Sequence, residues 1–448
     1  MRVNLIRRDP ADRWASVFGR VAVYSFVVAL ITGVLLLPYF RPSMAMVIYH
    51  GSYAKLDGIP MSQAYASTLG ISFDVRAGML VRQVHHWSAL VFVAAVCLRL
   101  ARMFFRGRFG GRHLPDWLIW VTLIPLGMLA GLTGTILPDD MLSGGSLSVF
   151  TGVIFSIPLI GTHLGLWIFG GSVPGHVIIP RDYWVHVAAI PAVIGLLLVL
   201  SYRPRPRLTR PHLARPRLAR WRNVDPLLPF TAGVLILLGA IAQINPVWLY
   251  GPYVPGGISA GSVPDWYMGF VDGALRIMPG WEFTVGGHPV TLAVLVPGVI
   301  VPGMFFTFLA GYPLLDGKMT GQRAGGNGPL GPTEGDPANR IAAGAAAIAF
   351  YCLLWAAAAN DEIALHLHVA LFTVTWIFRV LVLTGPVAAF AVTRVLCHVT
   401  ADRHRDEGEH GVETGVIRQD PNGGFHEVRG TPPSATAARP KERNSSLR

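Results

Sequence analysis

Apolar runs long enough to cross a bilayer as a helix, about 20 residues each, recur eight times along this chain. They fall at 18–40, 80–104, 117–137, 183–202, 226–244, 289–311, 341–359 and 369–397. A ninth apolar stretch, Gly152 to Phe169, is interrupted by Pro158 and His163 and closely bounded by glycines. The polar segments between the runs are of two kinds. From Arg203 to Arg222 there are eight arginines and no acid, and Arg106 to Arg112 and the N-terminal Arg2, Arg7, Arg8 and Arg13 are also basic. The stretches 138–182 and 245–288 hold one arginine each, Arg181 and Arg276, beside Asp139, Asp140, Asp265, Asp272 and Glu282. Basic loops face the cytoplasm. Eight spans put every basic loop on that side and every acidic loop on the other. A spanning 152–169 would carry the Arg203–Arg222 loop outside, so that segment is predicted to lie along the outer surface or to re-enter. Both termini are then cytoplasmic. The first span has no A-x-A-like site after it and reads as an anchor rather than a cleaved signal peptide.

Composition sharpens this into an all-α polytopic membrane protein with eight transmembrane helices. Of 448 residues, 52% are apolar and only 14% charged, with a mean hydropathy of +0.47. A soluble domain carries about 25% charged residues, so a cytosolic enzyme is excluded. The net charge of +12 comes from 37 Lys and Arg against 25 Asp and Glu. The cytoplasmic loops account for it, and the lipid bilayer rather than nucleic acid is the implied partner. Cys97, Cys352 and Cys397 all lie in apolar runs, without C-x-x-C-H or paired spacing, so covalent haem c, zinc and a disulfide framework have no support. The Arg/Pro-rich segment 203–225 divides the chain into four-span halves, 1–202 and 226–400, and no internal repeat links the two halves. The loop 316–340 is rich in Gly and Pro. The tail 401–448 is polar, Pro/Ser-rich and non-periodic, and is predicted to be disordered at least in part.

Ionisable groups inside spans are costly and mark candidate sites. No Asp or Glu falls in any of the eight spans, which counts against an ion-coupled transporter. Histidine does occur there: His85 and His86 near the outer end of the second span, and His186 near the outer end of the fourth. Two imidazoles facing each other across a bundle can clamp a haem iron axially. Gly19 and Gly33 on the first span are separated by a rise of about 21 Å and fall about 40° short of four full turns. They open nearly one face at two depths, as two stacked porphyrins would require. Read alone, interfacial histidines bonded to loop carbonyls and ordinary small-residue packing account for the same residues.

Several motifs together resemble cytochrome b of the cytochrome bc1 complex, with the likeness greatest to the actinobacterial type. They are Arg82-Gln83-Val84-His85-His86-Trp87, Leu137-Pro138-Asp139-Asp140, Phe169-Gly170-Gly171 with Pro174-Gly175, Pro264-Asp265-Trp266-Tyr267, and His410-Gly411-Val412-Glu413-Thr414-Gly415. The likeness runs from about Trp14 to about Val428. It implies that the N-terminal four spans are a haem-binding bundle, in which the second and fourth spans each carry two histidines that together hold two haems b. The outer, low-potential haem maps onto His85 and His186, with Gly33 and Gly134 beside it. His86 points about 100° away from His85 and reads as packing or locally bonded.

The second-haem positions depart from that pattern. Fourteen residues after His85 stands Arg99, and the corresponding positions after His186 are Leu200 and Ser201. Arginine offers no neutral nitrogen lone pair, and neither Leu nor a Ser hydroxyl is a b-type axial ligand. Where the family keeps a glycine beside the inner haem, this chain has Trp120. The inner haem is therefore expected to be absent. Arg99, with Arg102 and Arg106, also suits a snorkelling role at the cytoplasmic interface. In the family, one electron from quinol goes to an iron–sulfur protein and the other crosses through both haems. Losing the inner one leaves a gap of roughly 20 Å and stops a complete Q cycle.

By the same resemblance Asp265 accepts a quinol proton, with Tyr267 near the ring. A base within hydrogen-bond reach is what quinol oxidation requires, although Pro264-Asp265 also suits a helix start. The family's Gly-Tyr-x-Leu-Pro is here Gly134-Thr135-Ile136-Leu137-Pro138, without the tyrosine. Arg379, mid-way along the last span, is left to a backbone carbonyl or lipid. The expectation is thus an electron-transfer subunit in the plasma membrane that carries one haem b and works on quinol. Its partners would be a Rieske-type iron–sulfur subunit and a cytochrome c subunit, and a homodimer is allowed. The alternative is a non-catalytic cytochrome b paralogue that serves as a structural or assembly partner.

Overall fold

The computed structural model describes residues 10–171, 175–203, 225–254, 256–257, 264–285, 288–319, 337–410 and 412–430. Arg2, Arg7 and Arg8, Pro174, most of the Arg/Pro linker, the loop 320–336, Gly411 and the tail from 431 lie outside the described residues. The described chain falls into two units. One comprises Met1–Gly335 with Phe350–Leu383, the other Asp336–Ala349 with Thr384–Arg448.

The first unit begins with α1 (Pro10–Leu36), a small hairpin of β1 (Met46–Ile48) and β2 (Pro60–Ser62), and α2 (Gln63–Phe73). Then come α3 (Gly78–Phe105), α4 (Leu114–Ile136), the short pair α5 (Met141–Phe155) and α6 (Gly161–Phe169), and a fourth span built from α7 (Ile178–Trp184) and α8 (Ile190–Ser201). Next are α9 (Leu227–Ile241), α10 (Gly269–Ile277), the hairpin β3 (Glu282–Val285) with β4 (His288–Thr291), α11 (Leu292–Leu295) and α12 (Val301–Met319). Finally come α13 (Pro337–Ala357), α14 (Asn360–Leu367) and α15 (Leu371–His410); α13 and α15 each continue between the units. The second span is the hub: α3 packs on α1, α2, α4 and α9, and α4 packs in turn on α8, α5 and α12.

Among the described residues seven helices are long and apolar enough to cross a membrane: Val17–Leu36, Gly78–Phe105, Leu114–Ile136, Ile178–Ser201, Leu292–Asp316, Ala338–Ala357 and Leu371–Arg403. The eighth expected span, 226–244, is present only as α9, whose 15 residues rise about 22 Å, short of a hydrocarbon core of about 30 Å. Side chains of α3 explain the early stop. Trp87 Nε1 donates to Ala242 O at 2.8 Å, while Gln83 donates to Ile244 O and accepts from Ile244 N, both at 2.9 Å. These bonds claim backbone groups that another helical turn would need. The ninth apolar stretch does not cross. It breaks at Ser156–Ile160, where Leu159 has φ +67, into two helices too short to span.

Two spans contain a single wide turn, Val185–Ala189 and Val296–Ile300, each closed by a bond from residue i to i−5. Each lies just before a proline, Pro191 and Pro302. A proline inside a helix removes the bond to residue i−4 and collides with its carbonyl. A wide turn absorbs one extra residue to relieve that clash. In the fourth span the wide turn holds His186. Ser201, fifteen residues on, therefore takes the angular place that a regular helix gives the fourteenth.

In the second unit α15 runs to His410, and β5 (Val412–Gln419) pairs antiparallel with β6 (Phe425–Gly430). Within the tail, expected to be disordered at least in part, residues 401–410 and 412–430 carry helix and a strand pair. Asp420-Pro421-Asn422-Gly423-Gly424 supplies the turn. Asp420 N bonds to Gly424 O at 2.6 Å and Gly423 adopts φ +84, a conformation open to glycine.

Candidate functional site

His85 and His186 face each other across the bundle, with ring centroids 6.1 Å apart and ring planes at 70°. Each ring is held the same way. His85 Nδ1 lies 3.0 Å from Ala29 O and 3.1 Å from Thr32 Oγ1. His186 Nδ1 lies 3.1 Å from Ala130 O and 3.1 Å from Thr133 Oγ1. A carbonyl only accepts, so Nδ1 carries the proton and Nε2 keeps its lone pair. The two threonines donate back to Val28 O and Leu129 O, which orients their oxygens as acceptors for the rings. Every part of the first set recurs 101 positions later: Ala29 as Ala130, Thr32 as Thr133, Gly33 as Gly134, His85 as His186.

This donor set suits haem and little else. Among the described residues no group of three His, Cys, Asp or Glu converges as a metal site, whereas zinc asks for three or four protein ligands. A haem iron brings four nitrogens of its own and asks for two. Metal–imidazole bonds are about 2 Å, so two of them with a ring radius at either end span about 6 Å, as observed. The glycines open the space for a flat ring. A Cβ on Gly33 would stand 3.2 Å from His85 Cε1, and one on Gly134 2.7 Å from His186 Cε1. A cavity of about 1020 Å3 is lined by both histidines and both glycines and continues to Asp265 and Tyr267.

One haem-spacing deeper the same helices carry a different arrangement. The Arg99 guanidinium lies 4.2 Å over the indole of Trp120, which is fully buried. Arg99 also fills the space above Gly19, where a Cβ would collide with it and come within 3.1 Å of Tyr202 Oη. Ser201 Oγ turns to Leu198 O on its own helix at 2.8 Å. Gly19, Arg99, Trp120 and Ser201 are absent from the lining of the large cavity. The residues at this level do not fit a haem: they offer neither axial donor, and an arginine–indole stack occupies the volume.

Asp265 stands beside the histidine level and is held at both oxygens. His86 Nε2 is 2.9 Å from Oδ1, and Tyr267 Oη donates to Oδ2 at 2.8 Å. His86 is therefore neither loose packing nor locally bonded; it reaches 179 residues along the chain. Tyr267 is buried and its hydroxyl rests against Gly131, which leaves no room for a side chain there. Burial alone would push the Asp265 carboxyl up. The hydrogen bond and charge of His86, helped by the Tyr267 hydroxyl, outweigh it and hold the group below the usual carboxylate range. The Tyr267 phenol moves the other way, raised by burial and by the adjacent carboxylate. The turn is anchored from behind, since Tyr351 Oη donates to Trp266 O at 3.0 Å.

The motif around His85 thus has two faces. His85 enters the bundle, while Gln83 and Trp87 hold Ala242 and Ile244, Arg82 donates to Asn245 O at 3.2 Å, and His86 holds Asp265. The later α10 is fixed at its far end. Arg276 bridges Asp272 at 2.9 Å and Asp361 at 2.7 Å, and Arg379 Nε donates to Ile277 O at 2.7 Å. The mid-span Arg379 therefore caps a helix C-terminus, where a cation is favoured, and its guanidinium lies 4.7 Å over Trp376.

Leu137-Pro138-Asp139-Asp140 is a brace. Asp140 caps α5 by accepting from Ser143 N at 3.1 Å, and Tyr253 N bonds to Asp139 O at 3.2 Å. Burial pushes the Asp139 carboxyl up to about 6, with Asp140 adding to the rise and a Ser62 hydrogen bond opposing it. A carboxyl raised on folding gives stability that is fully present below its unfolded value and lost as pH rises through the folded one. At neutral pH ionised Asp139 thus costs up to about 3 kcal/mol, from about 1.4 kcal/mol per pH unit. Asp139→Asn, which tolerates the native φ of +56, is expected to raise the Tm of the detergent-solubilised protein at pH 7.5 and leave it unchanged near pH 4. Equal change at both pH values would show that the charge is not responsible.

A mostly helical membrane protein with a paired-histidine cradle opening beside a braced carboxylate has the make-up of a membrane b-type cytochrome. The chain belongs to the cytochrome b subunits of the cytochrome bc1 complex. Residues 90–252 match the family model described as cytochrome b (N-terminal)/b6/petB. The cytochrome bc1 complex cytochrome b subunit of Streptomyces coelicolor is 40% identical over 441 residues, covering 94% of this chain and 79% of the relative. That of Mycobacterium tuberculosis strain H37Rv is 42% identical over 428 residues, covering 93% and 77%. That of Corynebacterium diphtheriae is 38% identical over 427 residues, covering 93% and 78%. Among solved structures, a chain of a hyperthermophilic respiratory Complex III matches with a TM-score of 0.56 at 17% identity over 85% of this chain and 91% of its own, a likeness of fold.

Proposed function

We propose that this chain is the membrane subunit of a quinol–cytochrome c reductase that oxidises quinol beside Asp265, holds one haem b between His85 and His186, and lacks the second. One observation carries the reading: a single cavity joins both histidines to Asp265 and Tyr267 and excludes the Arg99 level. When bound, haem supplies a one-electron acceptor at this level. Gly33 and Gly134 admit the ring, and the Ala29, Thr32, Ala130 and Thr133 oxygens fix the tautomers that leave Nε2 available. Asp265, ionised at neutral pH, takes a proton from a quinol hydroxyl, and the apolar walls of the cavity admit the ring of the substrate.

Oxidising a quinol removes two electrons and two protons. With one acceptor in this chain, the other electron needs a partner. The family supports a Rieske-type iron–sulfur subunit in that role, with a cytochrome c subunit after it. The Arg99–Trp120 stack supports a route that stops part-way across the membrane, without a complete Q cycle. The acidic loops and Asp265 lie on the outer side in this reading, and both termini on the cytoplasmic side of the plasma membrane. The purified complex is expected to give one haem b per chain in the pyridine haemochrome assay. Two haems would overturn the reading of Arg99, Ser201 and Trp120. None would favour a non-catalytic assembly paralogue, which the filled Arg99 level also suits.

A further inference from the structure

We propose that His86 is the positioning residue of the quinol site: its Nε2–H holds the Asp265 carboxylate in place, and it does so from the turn of α3 that presents His85 to the bundle. The proposal rests on the reading of Asp265 as the base for quinol.

Three observations carry it. The contact is 2.9 Å between side chains that are 16% and 11% exposed, so water competes little for either partner. An ionised carboxylate only accepts, which makes the imidazole N–H the donor. Neighbouring residues of a helix diverge by about 100°, so His85 and His86 cannot face the same way: one enters the bundle, the other reaches Asp265. The turn that bears them is rigid, because Gln83 and Trp87, on either side, are bonded to Ala242 and Ile244. Asp265 sits on an irregular segment that has no ladder of its own to fix it. Its two oxygens are set by His86 from α3 and by Tyr267 from its own turn. Arg82, Asp140, Asp272 and Arg276 line the same cavity, but the charge and hydrogen bonds that bear on Asp265 come from His86 and Tyr267.

The role is separate from proton uptake. A quinol O–H bond breaks, an O–H bond forms on Asp265 through a lone pair that neither partner uses, and His86 keeps its proton throughout. In that reading the two electrons would leave to a haem held by His85 and His186 and to an iron–sulfur partner. What His86 contributes is the aim of the carboxylate and the preference for its ionised form.

The experiment compares His86→Ala and His86→Gln with the wild-type complex, because the Gln amide can reach forward with an N–H donor and the Ala methyl cannot. The Ala variant is expected to lose about 10- to 100-fold in kcat, the usual effect of removing an orienting partner, with KM within about twofold. The Gln variant is expected to recover most of that loss, and both should keep the wild-type haem spectrum. The acid limb of the pH–rate profile should move to higher pH in the Ala variant. An infrared titration of the carboxyl band, assigned through Asp265→Asn, should show the same upward shift without any turnover. Unchanged kcat in the Ala variant, an unmoved carboxyl midpoint, or a Gln variant as impaired as Ala would overturn the proposal. If the wild-type complex oxidises no quinol, the reading of the site fails instead, and the infrared midpoint alone still decides whether His86 holds Asp265.

Discussion

Replacing His186 with alanine is expected to yield a folded chain with at least about tenfold less haem b than wild type. His85 and His186 are the two imidazoles that the cavity brings ring to ring, 6.1 Å apart. Ala130 O and Thr133 Oγ1, which orient the ring, are hard oxygens, and Thr133 Oγ1 still donates to Leu129 O and Ala130 O. Without His186, His85 would be the one histidine of the facing pair left to hold the haem. The effect should be confined to this level. Arg99→Ala and Ser201→Ala lie outside the cavity and are expected to keep the full haem content. Pyridine haemochrome spectra of the three variants decide the matter. Wild-type haem content in His186→Ala, or loss of haem in Ser201→Ala, would contradict the assignment.

Asp265→Asn is expected to lower quinol oxidation by about 10²- to 10⁴-fold, the range typical of losing a general base, with haem content unchanged. The amide keeps the size of the carboxyl and an oxygen for the His86 N–H, so the local architecture has little reason to change. It cannot take a proton. Because Asp265 is held below the ordinary carboxylate range, the wild type should lose activity only as pH falls through that lowered value. The residual activity of the Asn variant should lack this acid limb. Steady-state rates across pH on the intact complex provide the measurement, and a variant as active as wild type would remove Asp265 from the mechanism.

Much of this was legible before any coordinates. Hydropathy and arginine placement located the spans and kept 152–169 out of the membrane. The carboxylate-free spans directed attention to His85 and His186, and the family resemblance, which implies a second ligand fourteen residues on, pointed to Arg99. The length of α9 was not legible, because its end is set by Gln83 and Trp87, which lie far away in sequence and reach Ala242 and Ile244 only once the chain has folded. The partner of His86 was hidden for the same reason: helical angle told where it does not point, and nothing local told what it meets. The β5–β6 pair within the tail was not anticipated, because the lack of periodicity outweighed the turn signal Asp420-Pro421-Asn422-Gly423. One signal was present and overlooked. Ala29-Leu30-Ile31-Thr32-Gly33 returns as Ala130-Gly131-Leu132-Thr133-Gly134, and the repeated A-x-x-T-G pattern names the residues that orient both rings.

That recurrence gives the proposed haem site two half-sites of the same make-up. The α1–α3 hairpin carries one complete half, with its ligand, its orienting oxygens and its recess, and α4 with the fourth span carries the other. Neither half can coordinate a six-coordinate iron alone. Free energy released by ligation is therefore also free energy of association between the two hairpins. A haem held there would act as an intramolecular cross-link, and apo-protein should lose the contact between hairpins before it loses the helices within them.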